Sequence, residues 1–162
     1  KTFTLMLEAI KLIPTTERPK LIIAGDGIRE NEVRELMLNA IESDGIEADV
    51  SGAFTPDQFQ ELVKQLDVMF AIYPPERGNI LQGALPVKMF DAAANGVPSV
   101  VNSGCLMGEI AETEEIGKAV EWNDAQAACD ALLELKNKTV ELTITSQREK
   151  EKFLSTVLPL ID

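Results

Sequence analysis

Ala84-Leu85-Pro86-Val87-Lys88-Met89-Phe90-Asp91-Ala92-Ala93-Ala94-Asn95-Gly96-Val97-Pro98-Ser99-Val100-Val101 decides the fold of this chain. The stretch predicts a helix that opens at a proline, closes at Asn95-Gly96 and runs straight into an apolar strand. Pro86 is expected at the first helical position, where its missing N–H costs nothing. Gly96 supplies a left-handed C-terminal cap, and Pro98 keeps the helix from resuming. Ahead of it, Pro74 to Gly83 forms a loop longer than the ~2–6 residues usual between a strand and a helix, which marks it as a candidate functional loop. Helix N-termini attract anions, and Lys88 and Asp91, three residues apart, share one face. On an isolated helix such a pair is a solvated contact worth roughly a few tenths of a kcal/mol. At a helix start facing a ligand rim, an anion-binding lysine beside a hydroxyl-binding carboxylate becomes the competing reading.

The same alternation repeats on both sides. Phe3, Met6, Leu7, Ile10 and Ile13 predict a helix over 2–13, and Lys20 to Ala24 a strand buried on both faces. Gly25-Asp26-Gly27 is the turn that follows. Val33, Leu36, Met37, Ala40 and Ile41 line a second helix, stopped at Asp44-Gly45. Ile46 to Ala53 reads as a strand of alternating character. Thr55-Pro56-Asp57-Gln58 carries an N-cap, a first-turn proline and a capping-box glutamine before the stripe Phe59, Leu62, Val63, Leu66. Asp67 to Tyr73 and Ser99 to Asn102 are further strands, the second turning at Ser103-Gly104. Glu109 to Glu112 predicts a turn or two of helix, Gly117 to Trp122 a last strand, and Asn123-Asp124 the cap of a helix through Leu135. In the tail, Val140, Leu142 and Ile144 alternate like a strand, while 147–157 reads as helix. Strands alternating with helices give an α/β, doubly wound, Rossmann-like parallel sheet within one domain, 1–162, with ligands at the carboxyl ends of the strands. Such domains open on a strand. This chain opens on a helix and without Met, so a fragment whose first strand lies before Lys1 is expected.

Composition narrows the partners. The formal net charge of -12 disfavours nucleic acid and anionic lipid surfaces. No apolar run approaches the ~20 residues of a membrane span. Cys105 and Cys129 are too few for a disulfide framework, suit a reducing compartment and read plainly as buried thiols. Histidine is absent, which removes every Ser-His-Asp or Cys-His arrangement and the usual zinc and haem ligands. A catalytic role would rest on carboxylates and positioning, or on machinery outside these residues. Four strand ends meet one rim: Gly25 to Gly27, Ala53-Phe54, Tyr73 to Gly83 and Ser103-Gly104. Gly-x-Gly alone is weak, since a turn needing positive φ explains it equally well.

Leu85 to Val101 resembles the donor-binding segment of retaining GT-B glycosyltransferases, written roughly Leu-Pro-x-x-x-x-Glu-(small/aromatic)-Met-Ala-x-Gly-x-Pro-Val-Val. Three more stretches fit in order: Lys1 with Leu5 to Ile10, Leu21 to Gly27, and Gly104 to Glu109. The resemblance covers nearly the whole chain. It implies the C-terminal, donor-binding half of an enzyme that moves sugar from a nucleotide-diphosphate-sugar to an acceptor. The acceptor-binding, N-terminal Rossmann-like domain would lie outside this chain, and the isolated chain would not transfer sugar. Lys1 matches the lysine that neutralises the diphosphate, and Asp91 the second acid of the Glu-x7-Glu motif. Gly83, Ala84 and Leu85 would offer backbone N–H groups to phosphate, with Lys88 beside them, and Gly25, Gly27, Phe54, Ser103 and Gly104 would border the nucleotide. Two departures stand out. The second acid is Asp, and Gly83 occupies the place of the first, leaving Glu76 or Lys88 to compensate. No cofactor or metal is implied, and the location implied is cytoplasmic, including the inner membrane surface through the absent domain. Nucleotide-sugar epimerases, phosphorylases and a non-catalytic nucleotide- or partner-binding module share this architecture.

Overall fold

Stretches with helical apolar spacing become helices here, and short apolar runs become strands. The computed structural model describes residues 1–161. In chain order they form α1 (Thr2–Leu12), β1 (Leu21–Ala24), α2 (Glu30–Asp44), β2 (Ala48–Ser51), α3 (Pro56–Val63), β3 (Met69–Ala71) and α4 (Gly78–Leu81). Then follow α5 (Val87–Ala94), β4 (Ser99–Asn102), α6 (Leu106–Thr113), β5 (Gly117–Val120), α7 (Ala125–Leu135) and α8 (Ser146–Ile161). A single 3₁₀ turn, Thr15–Glu17, lies between Pro14 and Arg18.

All strand pairs are parallel, but the sheet is interrupted. β1 pairs β2, and β3 pairs β4, which pairs β5. Helix α1 spans the break: Leu5, Ala9 and Ile13 enter one core with Ile72, Val100 and α7, while Met6, Leu7 and Ile10 enter another with Leu21, Met37 and Ile46. Around β3 and β4 the period-2 alternation sends successive side chains to opposite layers. Ile72 and Val100 meet α1 and α7, and Ala71 and Val101 meet α5 and α6. That is the helix–sheet–helix sandwich of a doubly wound fold. The expectation of burial on both faces does not hold for β1, where only Leu21 is fully buried and Ile22 to Ala24 remain half-buried.

Local signals explain most boundaries. The Thr55–Gln58 capping box is formed from both sides. Helix α2 stops at Gly45, in the left-handed region. Helix α5 ends in a Schellman motif, the Val97 N–H donating to the Ala92 carbonyl and the Gly96 N–H to the Ala93 carbonyl. Pro86 sits one residue earlier than expected: it is the N-cap of α5, extended at φ -76 and ψ 123, and Val87 takes the first helical position. The long loop is partly helical through α4, and β2 is shorter than the predicted 46–53.

The tail forms no strand at 140–144. The Val140 N–H donates to the Gly96 carbonyl instead, and Val140 and Leu142 pack on the core of α5 and α6. Beyond it α8 is held by a side-chain anchor. Glu114 accepts from Arg148 at 2.6 and 2.7 Å and from the Thr143 hydroxyl at 2.6 Å. The Arg148 guanidinium, and then the Thr143 hydroxyl, hold the Glu114 carboxyl down at about 2. A depressed carboxyl contributes above its free value of 4.5 and loses that contribution as pH falls through its folded value. Docking of α8 is therefore expected to be complete at neutral pH and to be released between pH 4.5 and about 2. Hydrogen exchange of the α8 amides across that range tests this, with Arg148→Ala losing the protection at neutral pH. Unchanged protection at pH 2 would refute it.

Candidate functional site

The carboxyl ends of β1 to β4 carry the loops singled out by sequence. After β1, Gly25 and Gly27 take φ of 144 and 142, a region that L side chains rarely adopt, and the space where a Cβ would stand is open. Both glycines thus serve the turn and leave the backbone uncovered. After β2, Phe54 is 41% exposed and stacks on Phe59, with ring centroids 5.4 Å apart. An open depression of about 440 Å³ lies beside it, lined by Phe54, Asp57, Glu61 and Leu62 among others, and none of the basic groups of the rim reaches it.

The basic groups gather instead at the end of β3. Lys88, in the first turn of α5, turns inward: its Nζ donates to the Phe70 carbonyl at 3.1 Å and lies 4.9 Å from the centre of the Tyr73 ring. Burial, and to a smaller extent the Arg77 guanidinium, push the Lys88 ammonium down to about 8. Arg77 itself lies over the same ring, 5.6 Å from its centre. Burial raises the Tyr73 phenol, with Arg77 opposing. The Tyr73 backbone is fixed by Asn102, whose side chain accepts from the Tyr73 N–H at 2.7 Å and donates to the Tyr73 carbonyl at 2.9 Å. Asn102 is buried at the end of β4, and its side chain ties the chain to β4 at Tyr73, two residues beyond the end of β3.

Glu76 folds over to Lys1, Nζ to Oε1 2.5 Å, and that bond lowers the Glu76 carboxyl. The loop therefore reaches the start of α1, with the acid paired to the lysine and both side chains largely exposed. Asp91 is half-buried in the second turn of α5. Among the described residues its carboxylate has no ion-pair partner, and Lys88 does not pair with it, because the lysine is committed to β3. Backbone donors at the start of α5 differ from expectation. The Gly83 N–H is used by the Ile80 carbonyl and the Ala84 N–H by the Asn79 carbonyl, a consequence of α4. Ser103 likewise spends its N–H on the Val120 carbonyl. That leaves Leu85, Val87 and Lys88 as the donors at this helix start, without a side-chain cap. A Cβ at Gly83 would stand 3.6 Å from the Leu106 side chain, so the loop before α5 runs beside the start of α6.

The structure thus brings Lys1, Glu76, Leu85 and Lys88 to one end of β3, and places Phe54 apart beside α3. Tyr73, Arg77 and Asn102 were absent from the sequence-based set. Tyr73 is the chain's one tyrosine and ends a strand, a signal that went unused. Asn102 gave none, since its partner lies 29 residues away.

Among the described residues no helix is long and apolar enough to cross a membrane. No curated protein matches the chain. A family model described as Glycosyl transferases group 1 matches residues 1–138, from α1 to the end of α7 and just beyond. With the motif order, the parallel α/β sandwich and that match over most of its length, the chain belongs to the glycosyl transferases group 1 family.

Proposed function

We propose that this domain binds a nucleotide-diphosphate-sugar and supplies the donor half of a glycosyl-transfer site at the carboxyl end of β3. The observation that supports this best is the placing of Arg77 and Lys88 about one Tyr73 ring, next in the chain to the Glu76 that holds Lys1, with Lys88 in the uncapped first turn of α5. In glycosyl transfer the bond between the anomeric carbon and the phosphate oxygen breaks, and negative charge grows on the departing diphosphate. Fixed cations and N–H groups at a helix start stabilise that charge more in the transition state than in the ground state. Asp91 is placed to accept hydrogen bonds from ribose or sugar hydroxyls, and Gly25, Gly27, Phe54, Ser103 and Gly104 border the path of the nucleotide. The diphosphate charge is met by the chain's own cations in this reading, without a cofactor.

One observation favours a second reading, a binding module without catalysis: Gly83 stands where the family has its first acid, and Glu76 is tied to Lys1. Both readings share nucleotide binding and part at sugar transfer. Titration of UDP, GDP and ADP into the chain tests the common step. One of the three is expected to bind, and Asp91→Ala to weaken it by about fivefold or more, the loss of a hydrogen bond to a charged acceptor. Absence of binding by all three overturns the proposal. Transfer by the complete enzyme that is lost in Asp91→Ala separates catalysis from mere binding.

A further inference from the structure

We propose that Arg77 is a further ligand-binding residue of this site, and that Arg77 and Lys88, arranged about the Tyr73 ring, hold one phosphate group of the nucleotide between them. The inference rests on the nucleotide reading above and names a residue that neither the sequence motifs nor the family match assigns.

Charge pairing elsewhere in the molecule carries the argument. The chain has 27 acidic and 15 basic residues, so a carboxylate is seldom far from a cation. Lys1, Lys11, Lys20, Arg29, Arg34, Lys64, Lys118, Lys136, Lys138 and Arg148 each form an ion pair. Of the other five basic residues, Arg18 donates to three backbone carbonyls, and Lys150 and Lys152 stand exposed on α8. That leaves Arg77 and Lys88 as the cations at the rim without an ion pair among the described residues, close enough together for Arg77 to disfavour the charge on Lys88. Two cations of like sign beside one aromatic ring repel each other, and the ring face offsets only part of that cost. An anion seated between them removes the repulsion.

Among the described residues no carboxylate pairs with either cation. From β3 Lys88 meets the Phe70 carbonyl and the Tyr73 ring, from the loop Arg77, and on its own helix Asp91, with which it makes no ion pair. Arg77 is exposed and carries a planar fork suited to two phosphate oxygens. Its backbone is set by a turn, the Arg77 N–H donating to the Pro74 carbonyl, immediately before α4. The backbone of Tyr73, whose ring both cations approach, is held by Asn102. Anion binding also has a proton signature. A neutral fraction of Lys88 near pH 8 is converted to ammonium when phosphate docks, so binding takes up protons.

Calorimetric titration of UDP at pH 8 in two buffers of different ionisation enthalpy tests this on the chain, with Arg77→Ala and Arg77→Lys beside the wild type. Melting temperatures of the variants check folding, which an exposed loop residue should not disturb. The expected result is net proton uptake, a loss of about tenfold in affinity for Arg77→Ala and partial recovery in Arg77→Lys. UDP binding that Arg77→Ala changes by less than about twofold overturns the Arg77 assignment and leaves the nucleotide reading standing. If UDP, GDP and ADP all fail to bind, that reading falls. Titration of inorganic pyrophosphate then decides the seat alone: binding lost in Arg77→Ala upholds it, and no binding overturns it.

Discussion

Replacing Lys88 with methionine is expected to make the protein more stable at pH 7, by about 2 kcal/mol, and at the same time to weaken nucleotide binding by at least about tenfold. The Lys88 ammonium is held at about 8, against 10.5 for a free lysine. A downward shift of that size corresponds to about 3 kcal/mol of preference for the neutral form. At pH 7 the folded protein bears most of that as the cost of a buried charge. Methionine has a similar length and no charge, so the cost disappears, less about 1 kcal/mol for the hydrogen bond lost to the Phe70 carbonyl. The pH dependence fixes the sign. Below about 8 Lys88 is charged in both states and the penalty is full. Between 8 and 10.5 the unfolded chain binds the proton more readily than the folded one, so wild-type stability rises with pH through this window. Denaturant unfolding at pH 7 and pH 10.5 should show a variant that is more stable at the first and has lost its advantage at the second. A variant destabilised at pH 7 would mean that Lys88 acts through its bond to β3 rather than as a retained charge. A stabilising substitution that costs binding is the usual sign of a residue kept for function.

The second large effect lies under the site. Gly108, in α6, is expected not to tolerate alanine: a Cβ there would stand 2.4 Å from the Asn102 carbonyl oxygen, 3.2 Å from the Cβ of Ala119 and 3.2 Å from the Cα of Ser103. Two of those three atoms are backbone, so no side-chain rotation relieves the clash, and α6 must move away from β4 and β5. Overpacking of this kind costs about 3 kcal/mol. Displacement of Asn102 also loosens its two bonds to Tyr73, and with them the ring beside which Arg77 and Lys88 stand. Gly108→Ala should thus lower the melting temperature by roughly 6 °C or more and weaken nucleotide binding together. Asn102→Ala, which leaves the part-buried Tyr73 N–H and carbonyl without these partners and does not move α6, should reproduce the binding defect. A Gly108→Ala protein as stable as wild type would show that the helix shifts at little cost.

The alternation of strand and helix, the capped ends of α2, α3 and α5 and the parallel arrangement were determined by the sequence alone. These rest on local rules, a 3.6 or 2 periodicity and the positions of proline, glycine and capping residues. Lys88 and Asp91 were also legible as neighbours on one helix, because spacing along a helix fixes its faces. What that face meets was decided by tertiary structure. Whether Lys88 reaches solvent or the Phe70 carbonyl depends on how α5 lies on β3, a packing of two elements 18 residues apart. The pairing of Glu76 with Lys1 closes a span of 75 residues, and the Asn102 bridge to Tyr73 one of 29, neither of which any local pattern encodes. Alternation in the 140–144 segment read as a strand, yet the segment pairs with no strand, and Val140 and Leu142 pack on the core of α5 and α6 instead. The break between β1 and β3 was equally invisible, since pairing depends on which backbone edges come within hydrogen-bonding distance. The sequence wrote the elements and their caps; the electrostatic character of the rim came from packing, which turned Lys88 inward and left Arg77 and Tyr73 beside it.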